Sequence, residues 1–422
     1  MNIGIIGSGG REHSICFKLK KSKKVKKLFC IPGNGGTSKI CENINIDVGN
    51  FTKLYEITIK KKIDLLIVGP EMPLVNGLTD FFKKKNVMIF GPDKKASRLE
   101  GSKAFMKKIC KEFKIPTAKY KEISHINETK NLFNEFSFPI VIKSDGLASG
   151  KGVTICNTKK EAIIEIKSIL NGKFKSSKKV IVEEFLKGQE ASYFVITDGR
   201  QYLPLGTAQD HKRIGENDTG PNTGGMGAYS PSTLITNKIE KKINKKIIEP
   251  TLKAMRKKGS PYRGILYAGL MINKSEPKLI EYNIRFGDPE CQVIMMRLKN
   301  DLLDLILATY NKTLSKKRVS WTKYPGITIV AASKGYPGKY EKMKEIKNIN
   351  LFKNNNKQQL FHAGTYKNKL GKIFSNGGRV LNATVVAVSL KKARNIALKI
   401  LENLEWKNKY FRKDIGHLVI DK

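Results

Sequence analysis

Short apolar runs alternate through residues 1–100 with stretches whose apolar positions recur every three to four residues. NIGIIG, KLFCIPGN, DLLIVGPE and VMIFGP lack polar alternation, as strands buried on both faces do. SGGREHSICFKLKKS and FTKLYEITIKKK have the helical period, and a further helix is expected from about residue 74 to residue 85. Strands alternating with helices predict a parallel, doubly wound sheet. Each strand ends in a loop bearing glycine or proline, at the carboxyl edge where such sheets hold ligands.

The rhythm changes after residue 100. GSKAFMKKICKEF predicts a helix carrying Lys103, and another is expected around residues 127–136. FPIVIKSDGLASGKGVTIC reads as strand, loop, strand, with Lys143 at the end of the first strand. KKVIVEEFLKGQEASYFVITDG is a strand running into Glu183 and Glu184, then a turn and a second strand. Residues 206–231, GTAQDHKRIGENDTGPNTGGMGAYSP, show no period and are expected to form a long loop, which inside a compact domain is usually functional. A helix about 236–258, the buried strand GILYAGLMI, the strand LIEYN and a helix about 290–312 follow. From Trp321, the strands PGITIVAAS, LFHAGTY and GGRVLNATVVAVS, the helix SLKKARNIALKILENL and a final strand form a third region. The expected division is 1–100, 101–320 with a smaller subdomain about 116–190, and 321–422.

Length supports that division, because 422 residues exceed what one core organises. Charge changes little. Lys and Arg total 80 against 37 Asp and Glu, a net +43, but the lysines are spread along the whole chain and no aromatics interleave with them. That pattern reads as a solvated basic surface, and no specific nucleic-acid partner is expected. The 6 cysteines form no C-x-x-C pair, which argues against a zinc site or a disulfide framework and for a reducing compartment. No run approaches 18 apolar residues, and MNIGIIG reads directly as a strand. A cytoplasmic monomer with no membrane partner is expected.

The chemistry concentrates in LIEYNIRFGDPE, residues 279–290. On a strand, Glu281 and Asn283 share one face about 6–7 Å apart. A carboxylate beside an amide oxygen suits a hard cation such as Mg²⁺, and Arg285 on the same face would meet phosphoryl oxygens. GSGGREH lacks the third glycine of a dinucleotide fingerprint, since Glu12 stands there, so a nicotinamide cofactor is disfavoured. Its bare amides at a helix start still suit a phosphate. SDGLASGKG is no Walker A motif, but a Gly-Ser-Lys loop between antiparallel strands can close over a triphosphate.

GSGGREH, PGNGGT, VGPEMPLVNG, IFGP, LEGSKAFMK, IKSDGLASGKGV, VEEFLKGQEAS, QDHKR, DTGPNTGGMGAYSP, GILYAGLMI, EYNIRFGDPE, HAGT, NGGRV and RKDIG occur in this order over nearly the whole chain. Together they resemble the phosphoribosylamine–glycine ligase (glycinamide ribonucleotide synthetase) family, ATP-grasp enzymes of de novo purine synthesis. The resemblance implies an N-terminal parallel sheet, a central ATP-grasp fold and a small C-terminal α+β domain. It implies ATP-dependent joining of glycine to 5-phosphoribosylamine, with ADP and phosphate released.

The resemblance also assigns roles. Lys103 and Lys143 would hold the ATP phosphates, with Ser149, Gly150, Lys151 and Gly152 lying over them. Glu183, Glu184, Phe185 and Leu186 would read adenine, and Glu190 the ribose. Glu281 and Asn283 would bind Mg²⁺ or Mn²⁺, while Arg285 and Lys143 neutralise the phosphoryl group in transfer. Gly9, Gly10, Arg11, Asn34 and Glu71 from the N-terminal strand ends, with Asp210, His211, Lys212, Asp218, Asn222 and Gly225, would hold glycine and phosphoribosylamine. Two departures stand out: Cys291 follows FGDPE, and GILYAGLMI offers no second metal acid. A sister ATP-grasp carboxylate–amine ligase would share the ATP site but not the DTGPNTGGMGAYSP segment.

Overall fold

A computed structural model describes residues 1–148, 152–174 and 179–420. The N-terminal strands form a parallel sheet in the order Glu42–Asn43, Lys27–Pro32, Asn2–Gly7, Leu65–Val68, Met88–Phe90. Its apolar runs are buried on both faces, between helices such as Gly10–Leu19 and Phe51–Lys60. Asn50 caps the latter by accepting from the Lys53 amide. The helix expected at 74–85 is two short ones, Glu71–Val75 and Leu78–Lys83. Gly77 separates them at φ +94°, a conformation that ends a helical turn.

A second, antiparallel sheet runs Tyr120–Ile123, Val180–Glu184, Ile140–Ser144, Val153–Cys156, backed by helix Lys159–Leu170. The helix expected at 127–136 shrinks to a 3₁₀ turn, Ile126–Thr129, and one turn at Leu132–Glu135. Asn127, Asn131 and Asn134 lie along it, and asparagine offers the backbone competing hydrogen bonds.

The central sheet orders Glu276–Asn283, Gly264–Asn273, Gln189–Thr197, Tyr202–Asp210, Gly227–Ser230, Gly326–Ser333, Arg379–Val386 and Gln358–His362. Much of the loop expected at 206–231 is therefore strand, including the hairpin Arg213–Gly215 with Thr219–Asn222. Its glycine-rich sequence has no strand period, and Gly227–Ser230 pairs on one side with Gly326–Ser333, about a hundred residues away. Gly227–Ser230 bridges the central strands to the C-terminal ones, so both regions share one sheet. The helix expected at 290–312 divides into Glu290–Arg297 and Leu302–Tyr310, the second capped by Asp301. Of the final strand only Lys409–Tyr410 pairs, and a turn of helix, His417–Ile420, follows. Among the described residues no helix is long and apolar enough to cross a membrane.

The carboxyl edge of the N-terminal sheet packs onto the central sheet. The His362 amide donates to His13 Nδ1 at 2.9 Å, and Asn34 Nδ2 donates to the His362 carbonyl at 2.8 Å. His13, His211 and His362 are all buried. Burial pushes the imidazole of His13 down to about 3, that of His211 down to about 4, and that of His362 well below its ordinary value. Each stays neutral in the folded chain and protonates near pH 6.5 once unfolded. Their contribution is thus complete above pH 6.5 and falls below it, at about 1.4 kcal/mol per pH unit for each ring, for His13 and His211 until about pH 3–4. Equilibrium denaturant titrations should show a lower midpoint at pH 5 than at pH 7, and equal midpoints would contradict the neutral burial of these rings.

Candidate active site

Glu281 and Asn283 lie near the end of strand Glu276–Asn283, with Arg285 just beyond. These three are half-buried, while Tyr282, Ile284 and Phe286 between them are buried, so the shared face expected from the alternation is present. Gly269 stands opposite Glu281 in the neighbouring strand. Burial alone would raise the Glu281 carboxyl, but the Lys212, Lys143 and Lys103 ammoniums and the Arg285 guanidinium hold it below the usual range. Among the described residues Glu281 makes no ion pair or hydrogen bond through its carboxylate, and the Asn283 side chain also has no partner. Free oxygen donors facing cations that do not touch them fit a hard divalent metal that arrives with phosphates.

Lys103 opens helix Lys103–Glu112 and donates to the Gly146 carbonyl at 3.0 Å. Asp145, which sequence reasoning passed over, fixes that helix start by accepting from the Ala104 amide (3.1 Å) and the Ser102 hydroxyl (3.2 Å). Ser149, Gly150 and Lys151 lie outside the described residues. Gly152 is buried, its carbonyl accepting from the Ser144 amide.

Glu183 is engaged within the protein. Its buried carboxylate pairs with Lys143 at 2.9 Å and with Lys107 at 3.3 Å. Strand alternation dictates this, because a residue next to an outward side chain must point inward. Glu184 is also engaged: it accepts from the Lys119 amide and from Lys278, both at 3.1 Å. Phe185 and Leu186 lie beyond the strand, and Phe185 is 38% exposed. Glu190 is exposed and pairs with Lys212 at 2.6 Å.

The N-terminal loops also differ in detail. The start of helix Gly10–Leu19 is already served by carboxylates. Glu12 accepts from the Gly9 amide at 2.6 Å, and Asp288 accepts from the Arg11 amide at 3.3 Å. The bare-amide phosphate site expected at Gly9 and Gly10 is thus filled in large part by the protein. A Cβ at Gly69 would come within 1.9 Å of Glu12, so that glycine makes room for the acid. Arg11 donates to Glu12 and to the Phe286 carbonyl. Asn34 spends its side chain on loop backbone, donating to the Ser8 and His362 carbonyls and accepting from the Gly36 and Thr37 amides.

Arg285 is not an open fork. It spans Glu71 at 3.1 Å and Glu100 at 3.0 Å. One guanidinium serves two acids unequally. Against burial, Arg285 and Arg11 bring the Glu71 carboxyl down to about 2, whereas burial lifts Glu100 to about 7 despite Arg285. Glu100 sits in LEGSKAFMK and could have been found only by knowing which strand end it faces.

In the 210–228 segment, Asp210 is half-buried, and its buried Oδ1, beside the Gly225 turn, has no hydrogen-bond partner. Burial and the Glu290 charge push its carboxyl up. His211 is turned away from this pocket: its Nε2 accepts from the Gly416 amide at 3.0 Å. Asp218 likewise pairs with Arg412 at 2.8 Å, so both residues dock the C-terminal segment. Asn222 lies in the small hairpin, its backbone paired with Arg213. Gly225 takes φ +104°, which any larger side chain would strain. Arg379, from NGGRV, donates to the carbonyls of Gly224 and Asp288 and reaches the Asp288 carboxylate at 3.4 Å.

Comparison with known proteins places the whole chain in one family. Family models described as phosphoribosylglycinamide synthetase match the N domain at residues 1–100, the ATP-grasp (A) domain at 101–291 and the C domain at 326–418. A phosphoribosylamine–glycine ligase of Brucella melitensis is 44% identical over 100% of this chain and 99% of its own, and one of Mesorhizobium japonicum is 45% identical over 99% and 98%. The crystal structure of phosphoribosylamine–glycine ligase from Thermotoga maritima superposes with a TM-score of 0.86 at 33% identity, covering 98% of this chain and 100% of that one. The biotin carboxylase domain of a Hydrogenobacter thermophilus 2-oxoglutarate carboxylase, solved with MgADP and bicarbonate, reaches 0.74 at 16% identity over 97% and 91%, a likeness of fold alone. ATP and a divalent metal go with the ATP-grasp domain matched at residues 101–291. With all three family domains in order and relatives matching end to end, the chain belongs to the phosphoribosylglycinamide synthetase family.

Proposed function

We propose that this chain joins glycine to 5-phosphoribosylamine at the expense of ATP, giving glycinamide ribonucleotide, ADP and phosphate in de novo purine synthesis. The observation that carries the reading is the unpartnered Glu281 carboxylate, held ionised by Lys103, Lys143 and Lys212 in a chain of this family. Lys103 and Lys143 take the ATP phosphates, and Glu183 balances Lys143 until they arrive. Adenine lies against the backbone of Phe185 and Leu186, and Glu190 receives the ribose hydroxyls. Glu281 and Asn283 hold Mg²⁺, which when bound neutralises phosphoryl oxygens. Asp210 and Glu290 offer carboxylates to the amino groups of the substrates, and the loops carrying Arg11, Asn34 and Glu71 face phosphoribosylamine. Arg285, clamped by Glu71 and Glu100, contributes field and position and makes no open fork. The lysine shell of Glu281 is complete within one chain, which favours a monomer. Six free cysteines suit a reducing cytoplasm.

Glycine's carboxylate is a poor acylating agent because its oxygen leaves badly. In the proposed step one carboxylate oxygen attacks the γ-phosphorus and the bond to ADP breaks, giving glycyl phosphate. The amine of phosphoribosylamine then attacks the carbonyl, loses a proton, and phosphate departs with one former glycine oxygen. Catalysis of the phosphoryl transfer is mostly positioning and charge, which the lysines supply. The test is a coupled ADP assay with each substrate omitted in turn, run with glycine labelled with ¹⁸O in its carboxylate. ADP release should need both substrates, and one label per turnover should appear in inorganic phosphate. Turnover without glycine would sink the function, and label in AMP would sink the mechanism.

A further inference from the structure

Cys16, Cys30 and Cys41 lack the spacing of a metal motif, and the sequence argued against zinc on that ground. Folding nevertheless brings them together. Cys16 lies in helix Gly10–Leu19, Cys30 in strand Lys27–Pro32, and Cys41 just after the 3₁₀ turn Thr37–Lys39. Their sulfurs all lie within 4.8 Å of one another, and Cys16 to Cys41 is 3.9 Å. Cys16 and Cys30 are fully buried, while Cys41 is half-buried and leaves one side open to entry. All three thiols are free.

We propose that these cysteines form a three-thiolate site for one soft cation, zinc or cuprous copper, separate from the Glu281–Asn283 face. Metal–sulfur bonds of about 2.3 Å set three sulfurs around one ion about 4 Å apart, close to the spacing present. Thiolates select such ions over magnesium. Binding breaks three S–H bonds, forms three metal–sulfur bonds and sends three protons to solvent. The thiols now donate to main chain, Cys30 to the Gly7 carbonyl at 3.4 Å and Cys41 to the Thr37 carbonyl at 3.2 Å. Zinc completes four-coordination with water through the open side at Cys41, whereas cuprous copper is satisfied by the three sulfurs. Zinc leaves a net charge of −1 on the site and cuprous copper −2, and the Lys20 ammonium near Cys41 offsets part of it. Cysteines gathered at the edge of a core can also pack simply as small apolar groups. What distinguishes a site is convergence of all three sulfurs with one approach left open.

The test titrates the reduced, full-length protein without oxygen, using Zn²⁺, Cu⁺ held in a competing chelator, and Cd²⁺ as the spectroscopic probe. One equivalent of Cd²⁺ should give thiolate-to-metal absorption in the ultraviolet, release close to three protons, and raise the thermal midpoint. Cys41→Ser and Cys16→Ala should each weaken binding at least tenfold, and Cys110→Ser and Cys156→Ser should bind as the parent does. Competition titrations decide between zinc and cuprous copper. Binding of neither, or full-intensity absorption in Cys41→Ser, would overturn the site. Should Cys16→Ala not fold, the half-buried Cys41 still decides the matter.

Discussion

Replacing Glu281 by Gln should shift the magnesium requirement of turnover at least tenfold upward and lower kcat by about 10²–10³-fold, the usual cost of losing one preorganised charge interaction at a reacting centre. The substitution keeps volume and removes charge. The Glu281 side chain has no hydrogen bond to lose within the described residues, so any fall in the free protein's thermal midpoint should reflect only the lost attraction of the cations around it. What changes is the field. Lys103, Lys143 and Lys212 now act on Glu281 and hold it ionised. Without it they still attract phosphates but no longer share them with a metal-bound carboxylate. Nucleotide affinity measured without magnesium should therefore hold or rise while magnesium-dependent turnover falls. A magnesium titration identical to the parent's would make the Glu281 face merely structural.

Glu183→Gln should act on stability in the absence of any ligand. The Glu183 carboxylate is the shared partner of Lys143 and Lys107, whose side chains are 6% and 0% exposed. Removing one partner of a buried ion pair leaves an uncompensated charge and costs about 3–5 kcal/mol. Differential scanning fluorimetry of the free variant should show the loss, and adding Lys107→Met, which removes the fully buried ammonium, should recover part of it. A residue that only read adenine would change nucleotide affinity and leave the free protein's midpoint alone. A free Glu183→Gln protein as stable as the parent would return Glu183 to the adenine side.

Much of the candidate site was legible because it is local. Strand alternation alone puts Glu281, Asn283 and Arg285 on one face, and the half-buried, buried, half-buried sequence there bears that out. The apolar runs of residues 1–90 have only one arrangement, a parallel sheet with helices on its faces. Side-chain partners were not legible in the same way. Asp210, His211 and Lys212 are consecutive, yet one oxygen of Asp210 lies buried without a partner, His211 accepts from Gly416, and Lys212 meets Glu190. No pattern within QDHKR separates those fates.

The sequence by itself determined the parallel strands of the first ninety residues, the order of the domains, and which residue types could serve a phosphate-and-metal chemistry. Those depend on period, on capping and turn residues, and on donor chemistry, all readable within a few positions. Only the tertiary structure decided which candidates remain free. It closed Arg285 between Glu71 and Glu100, turned Glu183 onto two lysines, capped the first helix with Glu12 and Asp288, made residues 206–231 largely strand, and gathered three cysteines spread over residues 16–41. The physical reason is that a charge, a thiol or a strand edge is satisfied by whatever folding brings within a few ångströms, and those neighbours lie up to hundreds of residues away in the chain.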